Sequence, residues 1–297
     1  MTQTAIPAAV RALTRPSGAF AMLAVDQREA LRNMLAEHQA QPVTDDQVTE
    51  FKLAATRALT PYASAVLLDK QFVLDRAIAE GAIDPSCALI AGADEFIAGP
   101  DEVLADVRID PTVDPAYYAA HGAAALKLLV LWRPDEDAHT RIDMVRAFVD
   151  RCHSAGLGSI IEPLSRKPRD GRDWDWSDGV LAAAAELGHL GADLYKAEVP
   201  MHGEGDERVL RAACAAITEA VTSPWVVLSS GVTPDAFPAA VALAVSEGAS
   251  GFLAGRAVWQ HSIGAPDPAA ALATDAVARL RRLVDVVDTA IAGRVSP

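Results

Sequence analysis

The stretch ALKLLVLWRPDEDAHTRIDMVRAFVDRCHSAGLGSIIE, residues 125–162, predicts a strand, a helix and a second strand. Its first run, Ala125–Leu131, is apolar except for Lys127, and its last run is Ser159–Glu162. Between the two runs, apolar residues recur with the spacing of one helix face: Ile142, Val145, Val149 and Cys152. Nearly continuous apolar strands joined by a helix indicate parallel strands that are buried on both faces.

The same alternation extends over the whole chain. The predicted strands are Ala19–Val25, Ser64–Asp69, Cys87–Ala91, Ala125–Leu131, Ser159–Glu162, Asp193–Glu198, Trp225–Ser229 and Ser250–Ala254. Eight strand–helix units in about 270 residues predict an α/β fold, the (β/α)8 TIM barrel. A doubly wound sheet is the alternative, but no G-x-G-x-x-G follows the first strand. We therefore expect a single barrel domain over residues 1–297, with an N-terminal extension at 1–17 and a closing helix at 270–292.

Composition limits the partners of this chain. Its 297 residues include 26 basic and 40 acidic side chains, a net charge of −14, and are 51% hydrophobic. An acidic chain lacks the basic surface that binds nucleic acid or anionic membranes. No apolar run reaches the ~18 residues of a membrane span, and Met1–Gly18 has no signal-peptide core. The three cysteines are few and widely spaced, which predicts reduced, core-packed thiols and a cytoplasmic protein.

Two lysines stand in predicted strands. Only five of the 26 basic residues are lysines: Lys52, Lys70, Lys127, Lys167 and Lys196. Strand alternation places Lys196 on one face with Leu194 and Glu198. Burial in a barrel lowers the pKa of a lysine, a second cation at Lys127 lowers it further, and a neutral amine can form a Schiff base with a ketone. The alternative for each lysine is a structural ion pair, such as Lys196 with Glu198.

Polar residues also cluster where the predicted strands end, the face at which barrel active sites lie. The residues are Asp26, Gln27, Arg28, Asp69, Lys127, Glu162, Lys196, Glu198, Ser229, Ser230, Gly231, Gly255 and Arg256. Asp26 and Glu162 are candidates to move the protons that Schiff-base chemistry requires. The loops Ser229–Gly231 and Gly255–Arg256 offer amides, hydroxyls and a guanidinium to a phosphate, with turn formation as the alternative.

The sequence does not predict a cluster of metal ligands at the catalytic face. Of the seven histidines, only His202 follows a predicted strand on the catalytic face. A catalytic zinc site needs several such ligands. We therefore expect no metal and no other cofactor.

Six motifs resemble one known family. They are FAMLAVDQREALRNML (20–35), ALKLLVLWRPDEDA (125–138), SIIEP (159–163), GADLYKAEVP (191–200), PWVVLSSGV (224–232) and GASGFLAGRAVW (248–259). The chain resembles the class I aldolase family that includes tagatose-bisphosphate aldolase. The resemblance implies a barrel, a Schiff base on Lys196, no metal, and a homo-oligomer. It also implies roles for Asp26, Gln27, Lys127 and Glu162 around the reacting carbons.

Within that family, the motifs are most similar to those of members that cleave 6-deoxy-6-sulfofructose 1-phosphate. The implied partner is therefore a sugar phosphate with a second anionic group. Gly231, Gly255 and Arg256 suit one anion, and Gln27 and Arg28 suit the other. The loop 170–178 and the N-terminus depart from the family, which bears on substrate selectivity. A tagatose- or fructose-bisphosphate aldolase and a non-catalytic sugar-phosphate-binding barrel are the alternatives.

Overall fold

All eight predicted strands form a closed parallel barrel. The computed structural model describes residues 5–100 and 102–295, so residues 1–4 of the predicted extension and the last two of the predicted domain lie outside it. The strands of this part are β1 (Phe20–Val25), β2 (Ala65–Leu68), β3 (Ala88–Gly92), β4 (Asp94–Ile97), β5 (Asp106–Ile109), β6 (Ala123–Trp132), β7 (Gly158–Ser165), β8 (Leu194–Ala197), β9 (Trp225–Val227) and β10 (Gly251–Ala254). The barrel order is β1-β10-β9-β8-β7-β6-β3-β2. The predicted (β/α)8 class is therefore confirmed.

Helices fill the connections between strands. They are α1 (Glu29–Ala36), α2 (Asp45–Leu59), α3 (Leu74–Ala79), α4 (Pro115–Ala120), α5 (Ala138–Ser154), α6 (Trp176–Leu187), α7 (Glu207–Ala220), α8 (Phe237–Ser246), α9 (Arg256–Trp259), α10 (Pro268–Ala271) and α11 (Val277–Val295). A capping box explains where α2 begins, because Thr44 accepts from the Gln47 amide while the Gln47 side chain accepts from the Thr44 amide. Over the described ranges, no helix is both long and apolar enough to cross a bilayer.

Each barrel strand buries both of its faces. Alternate residues point inward and form one cluster, which includes Phe20, Met22, Leu67, Ile90, Ala125, Ile160, Leu194, Val226 and Leu253. The residues between them, such as Leu23, Val66 and Tyr195, pack outward against the helices. Because Lys127 and Lys196 lie two residues after Ala125 and Leu194, both lysines continue the inward-facing set.

The segment before β1 closes one end of the barrel. A 3-10 helix, Ala8–Leu13, buries Val10 and Leu13 in the inward-facing cluster. It packs so closely on the start of β7 that a Cβ on Gly158 would come within 2.8 Å of the Ala9 carbonyl oxygen. This plug covers the N-terminal ends of the strands, opposite the predicted active site.

The antiparallel hairpin β4–β5 was not predicted. It follows β3 and pairs Asp94 with Ile109 and Ile97 with Asp106. Its Val107 packs with Leu129, Leu131, Leu164 and Leu228, and the cluster also contacts Phe96 and Leu104. The hairpin thus adds an apolar wall above the C-terminal end of the barrel.

Candidate active site

A cavity of about 350 Å³ opens at the C-terminal ends of the barrel strands. Residues on or after β1, β7, β9 and β10 line it: Asp26, Gln27, Arg28, Glu162, Arg166, Ser230 and Arg256. The hairpin contributes Phe96 and Leu104. A larger cavity of about 420 Å³ lies among α7 and α8 on the outside of the barrel, and no predicted site residue lines it. We therefore take the first cavity as the candidate active site, because the polar residues predicted from the sequence line it.

Lys127 lies among three carboxylates. Its Nζ is 2.9 Å from Asp26 Oδ2, 3.0 Å from Asp94 Oδ2 and 2.7 Å from Glu162 Oε2. Burial alone would lower the pKa of this lysine, but the three negative charges raise it well above its ordinary value. Lys127 is therefore a permanent cation, buried behind Asp26 and Glu162, which line the cavity.

Lys196 shares one of these carboxylates. Its Nζ is 2.8 Å from Glu162 Oε1, so Glu162 bridges the two lysines with one oxygen on each. Lys196 is thus in an internal ion pair, but its partner is Glu162 and not Glu198, because β8 ends at Ala197 and the inward alternation stops there. Glu198 instead accepts the Ser165 amide at 2.7 Å and lies 3.5 Å from Arg166 Nη1.

Two acids of the site have opposite pKa shifts. Burial raises the pKa of Asp26, but Lys127 and Lys196 lower it more, so that the net pKa is well below the usual range. Asp26 is therefore a carboxylate at neutral pH. Burial raises the pKa of Glu198 to about 7, although Arg166 and the Ser165 amide oppose this.

The β1 side of the cavity depends on Asp94, which sequence reasoning missed. Arg28 Nη2 donates to Asp94 Oδ1 at 2.7 Å and to its carbonyl oxygen at 2.8 Å. The Arg28 guanidinium lies 3.9 Å from the Phe96 ring centroid. Arg28 therefore reaches the cavity with its charge already paired. The position of Asp94 as the first charged residue after the apolar run of the third strand was the signal that could have identified it.

Gln27 also lines the cavity. Its Oε1 is buried and has no hydrogen-bond partner in the described part of the chain.

The predicted phosphate loops meet across β9 and β10. Arg256 Nη2 donates to Ser230 Oγ at 2.5 Å, and the Ala257 amide approaches Ser229 Oγ at 3.5 Å. Gly231, with φ of 79°, turns the chain after β9, and Gly255 precedes α9. The structure thus brings Ser229, Ser230, Gly255 and Arg256 together, as the sequence predicted.

Two other polar residues lie outside the cavity lining. Asp69 is buried and pairs with Lys52 of α2, so it holds the end of β2. His202 stacks on Trp176 with ring centroids 3.8 Å apart. Among residues 5–100 and 102–295, no three His, Cys, Asp or Glu side chains are arranged to hold a metal.

Comparisons with known proteins agree with this geometry. The model of the DeoC/LacD family of aldolases matches residues 20–261. The chain is 26% identical over 283 residues to tagatose 1,6-diphosphate aldolase of Staphylococcus haemolyticus, covering 86% of this chain and 85% of that protein. It is 29% identical over 277 residues to tagatose 1,6-diphosphate aldolase 1 of Streptococcus pyogenes serotype M3, covering 83% and 82%.

Solved structures share the fold at low sequence identity. A fructose-bisphosphate aldolase from Plasmodium falciparum has a TM-score of 0.67 at 12% identity, covering 100% of this chain and 99% of that one. A Schiff base-forming fructose-1,6-bisphosphate aldolase has a TM-score of 0.61 at 16% identity, covering 94% and 98%.

Proposed function

Because the chain belongs to the DeoC/LacD family of class I aldolases, we propose that it cleaves a ketose phosphate through a Schiff base on Lys196. The observation that carries the proposal is the position of Glu162. Its oxygens lie 2.8 Å from Lys196 Nζ and 2.7 Å from Lys127 Nζ. One carboxylate thus contacts an amine that can react and a cation that holds the carboxylate in place.

Glu162 can prepare Lys196 for attack. A proton that moves from Lys196 to Glu162 leaves a neutral amine, which is the nucleophilic form. The amine nitrogen bonds to C2 of the ketose. One proton from that nitrogen and the proton on Glu162 then transfer to the former carbonyl oxygen, which departs as water. The products of this step are a protonated iminium and an ionised Glu162.

The same carboxylate then serves bond cleavage. Ionised Glu162 removes the proton of the C4 hydroxyl, the C3–C4 bond breaks, and its electron pair moves into the iminium to form an enamine. Protonation of the enamine at C3 and hydrolysis of the resulting iminium release the second product and free Lys196. Asp26 keeps its charge because its pKa is low, so it stabilises Lys127 and leaves proton transfer to Glu162.

We further propose 6-deoxy-6-sulfofructose 1-phosphate as the substrate, with dihydroxyacetone phosphate and 3-sulfolactaldehyde as products. This is the activity of a sulfofructosephosphate aldolase in sulfoquinovose degradation (sulfoglycolysis). Two observations support the choice: the similarity of the motifs, and a cavity that two guanidinium groups line, Arg28 and Arg256. The alternative is a bisphosphate substrate, which the printed names of the relatives favour.

Borohydride trapping tests the chemistry. Wild-type protein incubated with dihydroxyacetone phosphate and borohydride is expected to gain one covalent adduct by intact mass. Lys196→Ala is expected to gain none while its circular dichroism spectrum is unchanged. Lys167→Ala, which alters an exposed lysine, is the matched control and is expected to trap normally. Wild-type protein without an adduct would favour the non-catalytic barrel.

Steady-state kinetics test the substrate. We expect kcat/KM for the sulfonated ketose phosphate to exceed that for fructose and tagatose 1,6-bisphosphate by at least about tenfold. Equal or higher values for a bisphosphate would overturn the sulfonate assignment and leave the Schiff base intact.

The proposal includes a cytoplasmic homo-oligomer. The family resemblance supports it, together with exposed apolar side chains on α4 and α7, Tyr117 and Val209. Light scattering after size-exclusion chromatography tests the assembly, and a monomeric mass at working concentration would contradict it.

A further inference from the structure

Arg166 lines the cavity although the sequence analysis did not single it out. It follows β7 directly, and its side chain is 31% exposed. Its Nη1 donates to the Ser165 carbonyl oxygen at 2.8 Å and lies 3.5 Å from Glu198 Oε1. Within residues 5–100 and 102–295, its Nε and Nη2 donate to no protein acceptor. One edge of the guanidinium is therefore anchored and the other is available to a ligand.

A second guanidinium opens into the same cavity. Arg256 donates to the Ser230 hydroxyl at 2.5 Å and, among the described residues, forms no ion pair with a carboxylate. Two cations that share a cavity repel each other, and an anion between them removes that repulsion. The pair Arg166 and Arg256, with the Ser230 hydroxyl, therefore has the composition of an oxyanion site.

The order of the strands places this pair near the reacting amine. Along β10-β9-β8-β7, the strands or the loops after them carry Arg256, Ser230, Lys196 and Arg166 in turn. Lys196 bonds to C2 in the proposed reaction, and the C1 phosphate is one carbon away. Arg28 follows β1, the neighbour of β10, but its guanidinium is bound to Asp94, which follows β3.

We propose, resting on the Schiff-base function above, that Arg166 is a second cation of the subsite for the C1 phosphate. A phosphate monoester carries about −1.5 to −2 charges at pH 7, so two guanidinium groups match it better than one. A sulfonate carries one charge, for which a single paired arginine such as Arg28 suffices. The two ends of the substrate are therefore distinguished by charge: the phosphate binds to Arg166 and Arg256, and the sulfonate binds to Arg28.

Glu198 acts as a positioning residue for Arg166. Its side chain is 3% exposed, and the Ser165 amide fixes one carboxylate oxygen at 2.7 Å. The other oxygen faces Nη1 of Arg166. This contact holds the anchored edge of the guanidinium toward β8, so the free edge faces the cavity.

The test compares two ligands that differ only in the phosphate. Borohydride trapping is measured as a function of dihydroxyacetone phosphate and of dihydroxyacetone concentration. For Arg166→Ala, we expect the half-saturating concentration of the phosphate ester to rise about ten- to hundredfold, the effect of a charged hydrogen bond, with no change for dihydroxyacetone. Arg166→Lys is expected to recover part of the loss, because lysine restores the positive charge but cannot donate two parallel hydrogen bonds as a guanidinium does. Arg172→Ala, an exposed arginine paired with Asp170, is the matched control and is expected to behave as wild type.

The variant Glu198→Gln tests whether Glu198 positions Arg166 or only stabilises the fold. We expect it to raise half-saturation for the phosphate ester by a smaller factor than Arg166→Ala and to leave dihydroxyacetone unchanged. Equal weakening of both ligands by Arg166→Ala or Glu198→Gln, or no weakening of the phosphate ester by Arg166→Ala, would overturn the inference.

A second measurement does not need the Schiff base. Inorganic phosphate is expected to raise the Tm of wild type and of Arg172→Ala, and to raise that of Arg166→Ala much less. If wild type traps neither ligand, the proposed function fails and this measurement alone decides the role of Arg166. An unchanged phosphate effect in Arg166→Ala would then overturn it.

Discussion

Glu162 divides its two oxygens between a lysine that stays charged and a lysine that must lose its proton. The charges around it balance when both lysines are protonated, since Lys127, Lys196 and Arg28 face Asp26, Asp94 and Glu162. Within this group, Lys196 Nζ and Glu162 Oε1 lie 2.8 Å apart, close enough for a proton to pass directly between the amine and the carboxylate. In the proposed reaction, proton transfer therefore takes place between Lys196 and Glu162, the two groups that act on the substrate.

The pKa of Glu198 predicts a pH dependence of stability. Its folded pKa of about 7 lies above its ordinary value of 4.5, so the folded protein keeps a proton that the unfolded chain has released. The stability that this proton contributes is complete below about pH 4.5 and is lost as the pH rises through about 7. Glu198→Gln cannot titrate. We therefore expect wild type to lose free energy of unfolding relative to Glu198→Gln between pH 5 and pH 8.

Urea denaturation of both proteins at pH 5, 6, 7 and 8 measures this difference. Parallel stability curves would show that Glu198 does not titrate in this interval. Arg172→Ala serves again as a control, because its exposed pair with Asp170 should leave the pH dependence unchanged.

At the scale of elements, the barrel strands were predictable because both of their faces are buried, which makes their sequences nearly continuous apolar runs. The hairpin β4–β5 has four residues in each strand and a partly exposed face, so it left no such run. Asp94 opens this hairpin and was missed with it. The sequence therefore predicted the lysines of the site but only part of their surroundings.

Arg166 was missed because β7 is longer than predicted. The predicted strand ends at Glu162, and the next residue, Pro163, lacks an amide hydrogen. However, β6 continues to pair with β7 as far as Trp132 and Ser165. On its other side, β8 pairs with β7 only at Ile160 and Ile161, so Pro163 lies beyond that ladder, where proline is tolerated.

The plug formed by Ala8–Leu13 predicts a stability effect without a catalytic one. Leu13 is fully buried at the end of the barrel opposite the cavity. Leu13→Ala is expected to lower the free energy of unfolding by about 2–5 kcal/mol, through lost burial and a cavity, and to leave KM unchanged.

Denaturation and steady-state kinetics check both halves of this prediction. Arg11→Ala, in the same 3-10 helix but exposed, should change neither quantity. A raised KM in Leu13→Ala at temperatures where the protein is fully folded would show that the plug at one end of the barrel affects the cavity at the other end.

At the scale of the whole molecule, an acidic protein gathers several cations at one cavity. The net charge is −14, yet Arg28, Arg166 and Arg256 line the cavity, and Lys127 and Lys196 contact Glu162 of its lining. Lys127, Lys196 and Arg28 together carry the three positive charges that balance Asp26, Asp94 and Glu162. The iminium supplies the electron sink that a metal supplies in other chemistry.

We therefore expect EDTA to leave the activity of the whole enzyme unchanged. Turnover is measured before and after dialysis against EDTA, with and without added zinc. Strong inhibition that zinc reverses would contradict a metal-independent reaction.

The pairing of β1 with β10 has a consequence for biogenesis. Phe20 pairs with Gly251, so the first strand to leave the ribosome waits for the last before the barrel can close. The plug likewise waits for β6 and β7, against which it packs. Contacts between residues so distant in sequence make folding slow and expose strand edges on the nascent chain. We therefore expect the edge of β1 that pairs with β10 to stay without its barrel partner until β10 has been synthesised.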